Sequence, residues 1–284
     1  DVPMAGFTAY KVGGPADLFV EPDSTAELVT LLELCHRDNI PLMVLGAGTN
    51  MLVRDGGIRG VVMRLGREFR AVRIEGHHLI AGAMAPMSKV ALAAEKAGLE
   101  GMVFGYDIPG TVGGILRMNA GAHGQETQDV LFEARGFDYG GQYHAVPVAQ
   151  VRFAYRTAIY PIDLVFTEGD FALTPGNAED LARRRQENHA YRLRTQPKGH
   201  TVGSIFVNPP GDHAGRLVEA AGMKGFRIGK AVVTTKHGNW IVNEGGCSAS
   251  DIEELIRTIQ ARVRERFGVE LKTEVRIVGE PTGG

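Results

Sequence analysis

The segment Val44-Leu45-Gly46-Ala47-Gly48-Thr49-Asn50-Met51-Leu52-Val53 decides how this chain is read. Two apolar runs flank a loop with almost no side chain to pack, so the backbone there must lie close to something. A Rossmann fingerprint needs G-x-G-x-x-G opening a helix directly after a strand. Here the third glycine is replaced by Met51, and the following MLVRDGGIRGVVMRL has the texture of strand and turn. The Walker pattern also fails, because no Gly-Lys-Ser/Thr follows. What remains is a glycine loop between two strands, whose successive N–H groups can form an anion nest without a helix dipole. Thr49 and Asn50 add short hydrogen-bonding side chains at its rim. Taken alone, the loop is read equally well as a tight turn or as a ligand cradle.

A second glycine-rich stretch, FGYDIPGTVGGILRMNAGAHG, runs from Phe104 to Gly124. Read as a loop, it is expensive to order, since glycine loses the most backbone freedom on folding. A ligand threaded along it offsets that cost. Thr111, Asn119 and main-chain amides are the candidate donors to phosphates, and Ile108 and Val112 the candidate apolar contacts to a flat ring. The pair of loops suggests one long ligand, and a dinucleotide carrying an isoalloxazine fits.

The 284 residues carry a formal net charge of −2, so no global basic field argues for nucleic acid. No apolar run approaches the roughly 18 residues of a membrane span. The N-terminal DVPMAGFTAY has neither a basic n-region nor an apolar h-region, so no secretory signal is expected. Cys35 and Cys247 are far apart and give no disulfide framework or metal-ligand spacing. A cytoplasmic setting is expected, with no nucleic acid, no membrane and no catalytic metal.

Along the chain, the capping box Ser24-Thr25-Ala26-Glu27 starts a helix over 25–37, and Met87 to Lys96 is a second helix. A hairpin is expected around Gly76-His77-His78, with strands at 131–137, 143–148 and 164–173. A polar helix covers 178–192. After a linker at 195–199 come short strands (202–207, 231–233, 240–242), a helix near 215–221, and a long helix from the capping box Ser250-Asp251-Ile252-Glu253 to Phe267, stopped by Gly268. A final strand, 274–278, closes the chain.

The order AYKVGGPADLFVEP, VLGAGTNMLVRDGGIRGVV, IPGTVGGILRMNAGAHG, FAYRTA, TVGSIFVNP, AGRLVEAAGMKG, HGNWIVN and TEVRIVG resembles the UDP-N-acetylenolpyruvoylglucosamine reductases, the MurB family of peptidoglycan precursor synthesis. It covers nearly the whole chain. The resemblance implies an α+β fold: a vanillyl-alcohol-oxidase-type FAD-binding module of two subdomains, here 1–66 and 67–192, plus a small α+β substrate domain, 193–284, whose last strand can return toward the FAD module. It implies non-covalent FAD, NADPH as reductant, and the enolpyruvyl ether of UDP-N-acetylglucosamine as substrate. Hydride would pass from flavin N5 to C3. The FAD set would be Leu45, Gly46, Ala47, Gly48, Thr49, Asn50 and Met51 in the first loop. In the second it would be Tyr106, Ile108, Pro109, Gly110, Thr111, Val112, Gly113 and Gly114, then Asn119, Ala120, Gly121 and Ala122.

The family's catalytic serine falls on Ser204 in Gly203-Ser204-Ile205-Phe206, its arginine on Arg156 in Tyr155-Arg156, and its glutamate on Glu274 in Glu274-Val275-Arg276-Ile277. Tyr155, Asn208, Arg216 and Lys224 are the candidate substrate contacts. The short interval from Arg156 to Ser204 resembles the subtype lacking an extra tyrosine-bearing loop. Thr49, Met51 and Trp240 stand where many relatives have serine, leucine and phenylalanine. The reaction builds charge on the substrate carboxylate, which Arg156 can hold and a protonated Glu274 can hydrogen-bond, while Ser204 delivers the proton to C2. A serine is a weak acid and suits only a strongly basic carbon centre. From spacing alone each of these residues reads as an ordinary turn or surface position; the family pattern reverses that. The rival readings are an FAD-dependent oxidase of a sugar, lactone or hydroxy acid, and a non-catalytic nucleotide module. Neither His77, His78 nor Cys35 lies in a glycine loop, where covalent flavin attachment would need it.

Overall fold

A computed structural model describes residues 1–282. The chain divides into two compact units: Asp1–Phe19 with Gly48–Val61 and Leu193–Gly284, and Val20–Ala47 with Val62–Arg192. The first glycine loop thus contributes Gly46 and Ala47 to the second unit and everything from Gly48 onward to the first.

The second unit is built on a five-stranded antiparallel sheet in the order Tyr143–Pro147, Leu131–Asp138, Leu164–Ala172, His78–Gly82, Val72–Glu75. The expected hairpin at Gly76 is its edge, with Glu75 opposite His78. Helix α1, Thr25–Arg37, has the bounds its pattern predicts. Ser24 accepts the Glu27 N–H, but the Glu27 carboxylate reaches Asp23 N–H and not the cap residue, so only half the capping box closes. Helix α2 is Met87–Lys96. Helix α3, Val112–Met118, interrupts what the glycine count suggests is one long loop. It lies against the strand Leu164–Ala172, with the Val112 and Gly113 N–H groups on Ala85 and Ala83 carbonyls. Helix α4, Ala178–Thr195, starts where predicted and runs three residues further.

In the first unit a single apolar cluster joins Tyr10, Leu52, Ile205, Phe206, Leu217 and Ile256, among others. Around it stand α5, Ala214–Ala220, α6, Ala249–Phe267, and an antiparallel sheet Arg227–Ile228, Ala231–Val233, Ile241–Asn243. The N-cap of α6 is Ser248, which closes a full capping box with Asp251; the expected box at Ser250 is displaced by two residues. The reason is distant in sequence: Asp55 accepts from the Ala249 and Ser250 N–H groups and from the Ser250 hydroxyl. Gly268 ends the helix in the left-handed conformation, as read. The last strand, Arg276–Val278, pairs in parallel with Met51–Val53. The stretch 202–207 is not a regular strand; it makes only single bridges, Ser204 to Trp240 and Phe206 to Thr273.

Candidate active site

In the first unit three segments far apart in sequence are stitched together. The Glu274 N–H donates to the Ile205 carbonyl at 2.7 Å, which puts the residue after Ser204 against Glu274. Asn50, in the exit of the first glycine loop, donates its carboxamide to the Glu274 carbonyl at 3.1 Å and accepts the Arg276 N–H on its own carbonyl at 3.1 Å. Two of the three expected catalytic residues are therefore neighbours, tied to Asn50.

Ser204 also opens onto a cleft of about 380 Å³ within this unit, whose lining includes the expected contacts Asn208, Arg216 and Lys224. Each is held by a neighbour. The Asn208 side chain accepts the Ala214 N–H at the start of α5. Arg216 forks onto Asp212, whose carboxyl is pulled down to about 2, first by that hydrogen bond. Lys224 pairs with Glu219 at 2.8 Å. Sequence reading missed Lys236, His237 and Asn239 on the same wall. Lys236 donates to the Leu193 and Gln196 carbonyls, each at 2.8 Å, at the C-terminal end of α4. Burial, and then the charge of Lys224, push His237 below its ordinary pKa, so it is neutral at neutral pH. Arg216, Lys224 and Lys236 stand against the two carboxylates that pair with them, Asp212 and Glu219, which leaves one net positive charge toward an anionic ligand.

The second unit holds Arg156. The strands Arg152–Ala154 and Thr157–Ile159 form a hairpin whose two-residue tip is Tyr155-Arg156. Arg156 has φ +57°, a backbone state that a non-glycine residue adopts at a cost of about 1–3 kcal/mol and that concentrates at functional sites. Its guanidinium lies 4.9 Å from the centre of the half-exposed Tyr155 ring.

The two conspicuous glycines of the first loop have different reasons. A Cβ on Gly48, at φ +64°, would lie 2.0 Å from the Phe7 carbonyl oxygen, so the chain's own backbone excludes bulk there. A Cβ on Gly46 would meet only the Thr111 hydroxyl, at 3.1 Å. Thr111 stands at the N-cap of α3 without spending its hydroxyl on the helix. The Gly46 backbone and the Thr111 hydroxyl thus lie close together, and no other heavy atom crowds that side of Gly46. This fits a flavin nucleotide between the loops.

Other members of the expected cofactor set point elsewhere. Asn119 is fully buried at φ +44°; its amide donates to Glu126 and to the Ala154 carbonyl, and its oxygen accepts the Gln128 N–H. Its side chain thus locks the loop, with both amide hydrogens engaged. The Val112 side chain is fully buried in the core. Tyr106 stacks beneath the Arg185 guanidinium of α4, and its neighbour Asp107 bonds His189 of the same helix at 2.7 Å, so α4 braces this loop.

Residues 16–146 match the profile of an FAD binding domain. With the α+β architecture and the two facing loops, this defines a flavoprotein of the vanillyl-alcohol-oxidase type. Residues 196–278 match a second profile, UDP-N-acetylenolpyruvoylglucosamine reductase, C-terminal domain. The chain is 45% identical over 284 residues to the UDP-N-acetylenolpyruvoylglucosamine reductase of Rubrobacter xylanophilus, covering 99% of this chain and 95% of that protein. It is 44% identical to that of Parvibaculum lavamentivorans, covering 98% and 90%. A crystal structure of the reductase (MurB) from Thermus caldophilus superposes with a TM-score of 0.85 at 34% identity over 98% of each chain. The chain belongs to the UDP-N-acetylenolpyruvoylglucosamine reductase family. Among the described residues no helix is long and apolar enough to cross a membrane.

Proposed function

We propose that the chain reduces the enolpyruvyl ether of UDP-N-acetylglucosamine to UDP-N-acetylmuramate, at the expense of NADPH, in peptidoglycan precursor synthesis. Bound FAD supplies the two-electron hydride chemistry. The protein's own part is to bind the anionic substrate, hold its carboxylate and deliver a proton. The observation that carries the reading is the junction of Ser204 and Glu274 through the Ile205 carbonyl, beside a cleft walled by Arg216 and Lys224.

In this reading the cleft takes the diphosphate, with Asn208 as a further contact. Arg156 and Tyr155 serve the enolpyruvyl carboxylate, where a guanidinium hydrogen bond strengthens as charge accumulates. Glu274, as the neutral acid, donates to the same group, and the Ser204 hydroxyl protonates C2. Gly46, Thr111 and the loop amides around them hold the flavin. The functional partition is 1–66 and 67–192 for the cofactor and 193–284 for the substrate, with the strand Arg276–Val278 returned beside Met51–Val53. The relatives from Rubrobacter xylanophilus and Parvibaculum lavamentivorans are named as reductases, which supports this reading over the oxidase alternative.

The test is turnover by the FAD-loaded protein. NADPH oxidation should depend on added enolpyruvyl-UDP-N-acetylglucosamine, and mass spectrometry should show the substrate gaining two hydrogens. Steady NADPH consumption with oxygen alone, and no reduced sugar nucleotide, would refute the reading.

A further inference from the structure

We infer that Asn239 is the positioning residue for Ser204, a role that rests on the reading of Ser204 as the proton donor. The serine lies in a segment with no regular ladder: Gly203 has φ +85°, and the flanking bridges are single. One side of the segment is held by residues 272–274, through the Glu274 N–H on Ile205 and the Val207 N–H on the Lys272 carbonyl at 2.9 Å.

The other side is held by Asn239. Its carbonyl accepts the Ile205 N–H at 3.0 Å. Its side-chain oxygen accepts the Phe206 N–H at 2.9 Å, and its side-chain NH₂ donates to the Phe206 carbonyl at 2.8 Å. A planar carboxamide offers donor and acceptor on one edge, as a peptide group does. Here it stands in for the missing strand. Asn239 is 4% exposed, and the two residues it grips, Ile205 and Phe206, are core residues, so water cannot take over these bonds. The clip is itself anchored. The Asn239 N–H donates to His237 Nδ1 at 3.2 Å, and the Thr234 hydroxyl donates to the His237 carbonyl at 3.1 Å.

The chemical identity of residue 239 is specified by this geometry. Aspartate keeps the acceptor for the Phe206 N–H but turns a donor into an oxygen facing the Phe206 carbonyl. Glutamine carries an extra methylene into a packed site. The first peptide plane after Ser204 is thus held by the Asn239 main chain and the next two by its side chain, and a displacement of about 1 Å at a reacting group can cost on the order of 100-fold in rate.

The experiment combines Asn239→Asp with Ser204→Ala in a double-mutant cycle on the FAD-loaded protein, measured anaerobically. We expect Asn239→Asp to leave flavin bleaching by NADPH unchanged and to slow substrate-driven recovery at least about tenfold, with kcat falling more than KM rises. In the Ser204→Ala background the same substitution should have almost no further effect. Hydrogen exchange in the apoprotein should rise in peptides covering 203–207. Asn239→Ser, which is smaller and leaves room for water, serves if the aspartate variant does not fold. Parent-like recovery in a folded variant, or an equal slowing in both backgrounds, overturns the positioning role while leaving Ser204 in place. If Ser204→Ala alone recovers at the parent rate, the reading of Ser204 falls, and this inference with it.

Discussion

Gly46 and Gly48 are two residues apart, and replacing each with alanine should do opposite things. At Gly48 the backbone is left-handed, which costs an L-residue about 1–2 kcal/mol. The new methyl would also lie 2.0 Å from the Phe7 oxygen and 3.1 Å from Thr8 Cα. That segment cannot yield freely: the Phe7 N–H is on the Met4 carbonyl, and the Ala9 N–H is on the Gly48 carbonyl itself. Overpacking of this kind adds about 1–3 kcal/mol, for a total of about 2–5 kcal/mol. For a chain of this size that lowers the apoprotein melting temperature by about 10 °C. At Gly46 no left-handed angle is required, and the methyl asks only the Thr111 hydroxyl to give by a few tenths of an ångström. The loss of glycine entropy from the unfolded chain offsets part of that, so apoprotein stability should stay within about 1 kcal/mol of the parent. The methyl nevertheless projects from the uncrowded side of Gly46, where the flavin is assigned. An intrusion of about 1.4–2.8 kcal/mol weakens FAD tenfold to a hundredfold. Thermal melts of the apoproteins and flavin-fluorescence titrations separate the two. The reasoning is refuted if Gly46→Ala binds FAD like the parent, or if it destabilises the apoprotein as much as Gly48→Ala.

Tyr10 is wholly buried, and its hydroxyl has no hydrogen-bond partner among the described residues; Tyr10→Phe should therefore be neutral or stabilising by up to about 1–2 kcal/mol in denaturant titration. Arg54 forks onto the nearly buried Glu253 at 2.9 and 3.0 Å, so Arg54→Ala should cost about 2 kcal/mol, the carboxylate keeping only its remaining partner, the exposed Arg257. The Arg54 hydrogen bond, as the largest cause, holds the Glu253 carboxyl below its ordinary value. The stability it confers is therefore present above the usual glutamate pKa and lost as pH falls through the lowered one. The parent-to-variant stability gap should accordingly narrow in acid. Burial, and then Asp251, push the Cys247 thiol up to about 12, while Cys35 is buried and also raised. Both should resist alkylation at pH 8 in the folded protein and react together on unfolding.

Elements with their stop and start signals close at hand were legible from the sequence. Helices α1 and α2 and the hairpin at Gly76 fall where capping residues, glycines and apolar spacing put them. Misreadings arose where a distant partner decided. Ser248-Ala249-Ser250-Asp251 offers two overlapping caps, and Asp55, nearly two hundred residues upstream, selects one. Helix α3 hid behind Gly113-Gly114, whose low helix propensity is outweighed by packing on the sheet. Ser204, Arg156 and Glu274 were reached only through the family pattern; the backbone bond that makes neighbours of the Ser204 and Glu274 segments leaves no trace in spacing. Asn239 was invisible for the same reason: its partners lie 33 residues away, and nothing in Lys236-His237-Gly238-Asn239-Trp240 marks its carboxamide as a surrogate peptide.

Ser204 is best tested by separating the two half-reactions in an anaerobic stopped-flow experiment. With Ser204→Ala, NADPH should bleach the flavin at the parent rate. Recovery on adding enolpyruvyl-UDP-N-acetylglucosamine should slow by about 10²–10⁴-fold, the usual contribution of a general acid. Recovery at the parent rate would contradict the assignment of the proton to this hydroxyl.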